Sequence, residues 1–228
     1  MTRCLGIIGG LGVGATVHYY QELIKLHEGY LPLLMIHADM ERVLRHAQAG
    51  EKMRLAEYLA ELISQLREGG AAVAAVTAIT PHLCIRELLQ LSPLPVVNAL
   101  ESIGEEIRAR KFHRVALFGT RFTVHSRLFD MLDGVEIVTP RPDEIEYIHE
   151  TYFGLASSGR GSEAAHRGLT ELARRLCERD GVEAIVLAGT DLSVIFNETN
   201  TNFPYIDCAQ VHIRAILRAV SGDGGVRS

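Results

Sequence analysis

Long hydrophobic runs are missing from this chain. Its longest apolar stretch, residues 71–78, falls well short of the roughly 20 residues that cross a bilayer. Residues 1–4 lead straight into a strand-like segment, so neither a membrane span nor a signal peptide is expected. Clustered positive charge is missing too. Lys and Arg number 23 against 28 Asp and Glu, a formal net charge of −5. Phosphate recognition needs concentrated cations, so nucleic acid is not an expected partner and small molecules are. Cys4, Cys84, Cys177 and Cys208 are scattered, with no CxxC pair and no metal-finger spacing, which fits a reducing, cytoplasmic setting. The ten histidines form no HExxH or HxH pattern. His18, His27, His46 and His166 fall within helix-like stretches, and most of the histidines read as solvated or structural, with no metal site expected.

What is present is a large apolar fraction, 47% of 228 residues, enough to bury a core as one large domain or two of about 110 residues. Apolar runs of strand length (residues 4–9, 32–37, 71–77 and 95–97) alternate with amphipathic runs of helix length (15–27, 51–68, 81–91 and 99–110). The pattern then restarts, with strands predicted at 113–119, 135–139 and 182–188 and helices at 123–132, 142–156, 163–179 and 208–220. Continuous apolar strands separated by helices indicate parallel sheets covered on both faces, an α/β fold.

The restart reads as an internal duplication. Residues 4–16 spell a strand, a tight glycine turn and a helix start, and residues 115–123 repeat that plan; residues 73–81 likewise match 184–191. Two pseudo-symmetric lobes are expected, residues 1–98 with 208–228 and residues 99–207, each a short parallel sheet flanked by helices. The carboxyl ends of their strands should face a ligand cleft between the lobes. The Gly- and Ser-rich residues 157–162 read as a loop, and residues 221–228 as a frayed tail.

The strand ends carry the chemistry. Gly9-Gly10-Leu11-Gly12-Val13-Gly14-Ala15-Thr16 lets a ligand approach the backbone, but its glycines do not fall into GxGxxG, so a dinucleotide is not expected and no cofactor is implied. Thr80 followed by Pro81 reads as a helix N-cap with proline in the first turn, where unpaired amides and the positive end of the helix dipole suit a carboxylate. Thr120 and Thr123, and Thr190 with Asp191, repeat the arrangement. Each turn alone is explained by capping. Four together point to a small acid with one or two carboxylates.

In residues 6–16, in Ala78-Ile79-Thr80-Pro81-His82, in Ala188-Gly189-Thr190-Asp191-Leu192 and in residues 204–212, the chain resembles the aspartate/glutamate racemase family along nearly its whole length. The resemblance implies a cofactor-free, two-lobed and often dimeric protein, so a homodimer is expected. In the family two cysteines, one on each face, invert the α-carbon of an amino acid. By motif alignment the thiol positions here are Ala78 and Gly189, and the family's asparagine is Ile79. Arg42 resembles the arginine that holds the substrate carboxylate.

Alanine and glycine neither accept nor donate a proton, so two-thiol racemisation should not operate. Asp191 as a base and His82 as a proton shuttle are the remaining acid–base residues, each open to a purely structural reading as a cap or a local hydrogen-bonding group. The hydroxyls of Thr77, Thr80 and Thr190 suit a carboxylate or a developing enolate, and a bound carboxylate is expected among Thr16, Thr80, Thr120, Thr123 and Thr190. Cys84 and Cys208 read as packing residues. The expected function is cofactor-independent proton transfer next to the carboxylate of a small amino-acid-like acid, by an isomerase, lyase or decarboxylase. A catalytically silent binder of an acidic metabolite is the alternative.

Overall fold

A computed structural model of the protein describes residues 2–158 and 161–221. In chain order the elements are β1 (Leu5–Gly9), α1 (Val13–Leu26), β2 (Leu33–His37), α2 (Met40–Gln48), α3 (Lys52–Glu68), β3 (Val73–Val76), α4 (Ile85–Leu91) and α5 (Ala99–Ala109). They continue with β4 (Arg114–Phe118), α6 (Arg121–His125), β5 (Glu136–Val138), α7 (Pro142–Ser158), α8 (Glu163–Asp180), β6 (Ala184–Leu187), β7 (Tyr205–Asp207) and α9 (Cys208–Ser221). The chain divides into two compact units. One comprises the residues up to Ala99 together with the chain from His212 onward, the other Leu100–Val211, so the division falls inside α9.

The first unit is built on a three-stranded parallel sheet of order β2-β1-β3, with Ile7 between Met35 and Ala75. β1 and β3 are buried along their whole length, whereas the edge strand β2 alternates between half-buried and exposed residues. A parallel strand covered on both faces must be apolar throughout, which is why β1 and β3 read as unbroken hydrophobic runs. The stretch 95–97, expected as a strand, adds only one bridge, from Val96 to Ala74. Pro95 lacks the amide hydrogen that a longer ladder needs and contributes only its carbonyl, to the Ala74 amide. α2 is a helix the hydrophobic pattern did not predict. Asp39 caps it by accepting the Arg42 amide at 3.0 Å, and Val43 and Ala47, four apart, bury its inner face.

The second unit carries a four-stranded parallel sheet of order β5-β4-β6-β7, with Leu117 opposite Val186. The strands β4 and β6 are its buried centre, and α7 and α8 pack Ile148, Leu155, Leu169, Leu172 and Leu176 onto the core they form. The helix expected over 123–132 is broken into α6 and a 3₁₀ turn, Leu128–Met131, because Arg127 adopts a left-handed backbone (φ 55°) that no α-helix continues through. Ser157 and Ser158, expected in a loop, end α7; Ser162 caps α8 by accepting the Ala165 amide; residues 159–160 of that stretch and the tail 222–228 lie outside the described residues. Among the described residues no helix is long and apolar enough to cross a membrane.

The two units share a local plan. In each, a central buried strand (β1, β4) pairs with a neighbour (β3, β6) whose carboxyl end runs through two or three buried residues into a five-residue 3₁₀ turn, Thr80–Cys84 or Thr190–Val194.

Candidate functional site

In the first unit the ends of β1 and β3 are tied together by backbone. Thr77 sends both its amide (3.1 Å) and its hydroxyl (3.3 Å) to the Ile8 carbonyl. Ala78 and Ile79 follow, both buried. Thr80 is not the cap it was expected to be. It is the first residue of the 3₁₀ turn, preceded by Ile79 in a helical backbone, and no side chain caps that turn; Pro81 does stand in the first turn. Thr16 sits inside α1, where its hydroxyl accepts the Gly10 amide (3.0 Å) and donates to the Gly12 carbonyl (2.8 Å), closing the glycine turn. Gly10 is obligatory there. Its φ is +82°, and a β-carbon would lie 2.8 Å from the His37 ring.

His82 is 2% exposed and both its ring nitrogens are engaged by backbone. Nε2 accepts the Ala99 amide hydrogen (3.2 Å), so Nδ1 carries the proton and donates it to the Ala78 carbonyl (2.9 Å). Burial drives its pKa down to about 4, leaving a neutral imidazole. Its edge meets a second buried histidine, His212, at 5.8 Å between ring centroids. There the order is reversed: Nε2 faces the Val97 carbonyl (3.0 Å) and donates, and Nδ1 accepts the Tyr19 hydroxyl (3.0 Å). Burial, with His82 alongside, takes His212 down to about 3. These rings join α1, the 3₁₀ turn, the start of α5 and α9 into one hydrogen-bonded core. Arg42 lies elsewhere in the unit, on α2, with its guanidinium 4.1 Å above the Tyr58 ring and 3.9 Å from Glu61.

In the second unit Thr120 caps α6, accepting the Thr123 amide at 3.0 Å, with the two hydroxyls 2.9 Å apart. Thr190 opens its 3₁₀ turn and, like Thr80, does not cap it; Gly189 precedes it in extended backbone. Thr190 and Asp191 are both buried. The Asp191 carboxylate accepts the Tyr152 hydroxyl at 2.9 Å. Burial, then the charge of Asp191, holds that phenol well above its usual range, so it stays protonated.

Tyr152 is the residue the sequence reading missed, and its position accounts for Gly189. A β-carbon built on Gly189 would fall 2.2 Å from Cε2, 2.6 Å from Cδ2 and 2.8 Å from Cζ of that ring. The phenol fills the space a side chain at 189 would enter. Its signal was present in α7, where Ile145, Ile148, Tyr152 and Leu155 form one inward stripe, but nothing local pairs that stripe with a glycine at the end of β6.

Neither buried thiol is activated. Cys84 donates to the Pro81 carbonyl and burial pushes it up to about 12; Cys208 is pushed well above its usual value by burial and by Asp207. Among the described residues no group of three or more His, Cys, Asp or Glu is placed to hold a metal ion.

The profile of the Asp/Glu/Hydantoin racemase family matches residues 8–216 of this chain. Among solved structures, an aspartate racemase homologue from Pyrococcus horikoshii superposes with a TM-score of 0.83 at 24% identity, over 96% of this chain and 100% of that one. Glutamate racemase from Francisella tularensis, in complex with D-glutamate, gives 0.69 at 10% identity, over 96% and 81%. A double mutant of arylmalonate decarboxylase in its liganded form gives 0.62 at 14% identity, over 98% and 94%. At such identities the likeness concerns the fold.

Proposed function

Because the chain belongs to the Asp/Glu/Hydantoin racemase family, we propose that it transfers a proton next to the carboxylate of a small acid, without a cofactor and on one face of the α-carbon. The observation that carries this reading is the end of β6. Where the resemblance puts one thiol there is Gly189, with the Tyr152 ring over it and a buried Asp191 two residues on. Where it puts the other there is Ala78, which has no proton to move. Inversion needs an acid or base on each face, so one-sided chemistry is favoured: isomerisation without inversion, elimination or decarboxylation. The family includes racemases, and the fold is shared with a decarboxylase.

Asp191 keeps the acid–base role on this reading. His82 is assigned a positioning role instead, because its two nitrogens already hold the Ala78 carbonyl and the Ala99 amide. Thr16 and Thr120 serve their turns, and the Thr123 hydroxyl pairs with that of Thr120, which leaves Thr190, next to Asp191, as the hydroxyl of the second unit to orient a substrate carboxylate or steady an enolate. The four cysteines are free thiols, in keeping with a reducing cytoplasm. A second copy of the chain is the proposed partner. On α1, Val13 (68% exposed), Val17, Tyr20 and Ile24 recur at helical spacing as an apolar stripe, and Tyr30 beyond it is 83% exposed. Light scattering should give twice the chain mass, and Tyr20→Asp with Ile24→Asp should halve it; a wild-type monomer overturns the assignment.

The test of the activity is incubation in heavy water with both enantiomers of aspartate and glutamate and with methylmalonate, followed by proton NMR. Deuterium entering the α-carbon with one stereochemical outcome is the expected result. Exchange with inversion from both enantiomers would refute a one-faced mechanism. Binding by calorimetry with neither exchange nor loss of carbon dioxide would identify a silent binder.

A further inference from the structure

Three features of the second unit bear on what moves the proton. The Tyr152 ring lies where a Gly189 side chain would project, so the phenol and a thiol at that position are mutually exclusive occupants of one space. Its hydroxyl is anchored by a buried carboxylate. Tyr152 is a partly buried residue at the margin of the core that α7 and α8 cover. The pair puts a phenolic proton beside a carboxylate at the end of β6, in the space a side chain at 189 would use.

We propose that Tyr152 is the proton donor of this site, its hydroxyl replacing the second thiol. The inference rests on the one-faced reading above and goes beyond it by naming the donor and the direction of transfer. Burial and the neighbouring carboxylate make the phenolate unfavourable, so at rest Tyr152 holds its proton and serves as acid rather than base. In the step the α-carbon loses either its proton, taken by the Asp191 carboxylate, or a carboxylate, released as carbon dioxide, and the electron pair left behind takes up the Tyr152 hydroxyl proton. The Oη–H bond breaks, a C–H bond forms, and the phenolate recovers a proton from solvent water. Rotation about the Cζ–Oη bond turns the proton from Asp191 to the substrate, giving up the bond to that carboxylate for the step.

The experiment compares wild type with Tyr152→Phe on L- and D-aspartate, L- and D-glutamate and methylmalonate in heavy water, following deuterium incorporation and product formation. Phenylalanine keeps the ring over Gly189 and removes only the hydroxyl, so far-UV dichroism and the thermal midpoint report whether the fold is retained. The expected result is a fall in kcat of about a hundredfold or more, the usual worth of a general acid, with KM within about threefold. A second readout separates a donor from a positioning group. Fluorotyrosines placed at 152 lower the pKa of the phenol in steps while keeping the ring, and log kcat should follow those steps. A rate insensitive to fluorination, or a Tyr152→Phe variant within about threefold of wild type, overturns the proposal and leaves the one-faced reading standing. A wild-type protein inert towards every probe overturns both.

Discussion

The packing of Tyr152 against Gly189 makes a quantitative prediction about stability that is independent of any substrate. Gly189 lies at φ −108° and ψ 116°, ordinary extended backbone, so Gly189→Ala introduces no conformational strain of its own. Its β-carbon would nevertheless fall 2.2 Å from Cε2 of Tyr152, against the ~3.5–4.0 Å of a normal carbon contact. The ring must therefore move. Overpacking of this kind costs about 1–3 kcal/mol. A displaced ring also forfeits the bond to Asp191, and a hydrogen bond to a charged group contributes about 1.5–3 kcal/mol. Gly189→Ala should then cost about 2.5–6 kcal/mol. With Tyr152→Ala already in place the same substitution meets empty space and should be neutral or stabilising by up to about 1 kcal/mol, the usual gain from restricting a glycine in the unfolded chain. The four proteins form a double-mutant cycle whose coupling energy should be at least about 2 kcal/mol. For a chain of this length each kcal/mol shifts the thermal midpoint by about 2–4 °C, so the effect is within easy reach of calorimetry or urea denaturation. Additive effects, with a coupling below about 0.5 kcal/mol, would mean that the ring does not occupy that space.

The buried histidines predict a loss of stability in mild acid. His82 and His212 are depressed to about 4 and about 3 in the folded protein, against about 6.5 unfolded, so below pH 6.5 the unfolded chain takes up protons the folded one refuses. Their contribution is complete above that pH and is lost as pH falls towards 4, at about 2–3 kcal/mol per pH unit where both titrate only in the unfolded state. Urea midpoints measured between pH 7 and 4 should show this slope, and His212→Gln should reduce it by about one proton; an unchanged slope refutes the assignment. His82→Ala, which leaves the Ala99 amide and the Ala78 carbonyl without their bridging ring, should destabilise by about 2–4 kcal/mol. Iodoacetamide should label Cys84 and Cys208 only after unfolding, as read by mass spectrometry, and should leave turnover intact; fast labelling prevented by substrate would return the chemistry to a thiol.

What the sequence determined by itself is what depends on local order. Strands buried on both faces have no polar alternation, so β1, β3, β4 and β6 are visible as apolar runs, and helices such as α3 and α8 show their 3.6-residue period. Those features establish the α/β class, and the motifs at the strand ends establish the family. Capping at Thr120 was equally legible, because a cap is a contact across three residues. Only the tertiary structure decided which polar groups the core consumes. His82 looked like a proton shuttle at a strand end, yet Ala99 and Ala78 claim its nitrogens, and the Tyr19–His212 bond spans 193 residues of chain. Tyr152 and Gly189 carry no mark of each other in sequence, because steric exclusion acts between side-chain volumes brought together by packing and not along the chain.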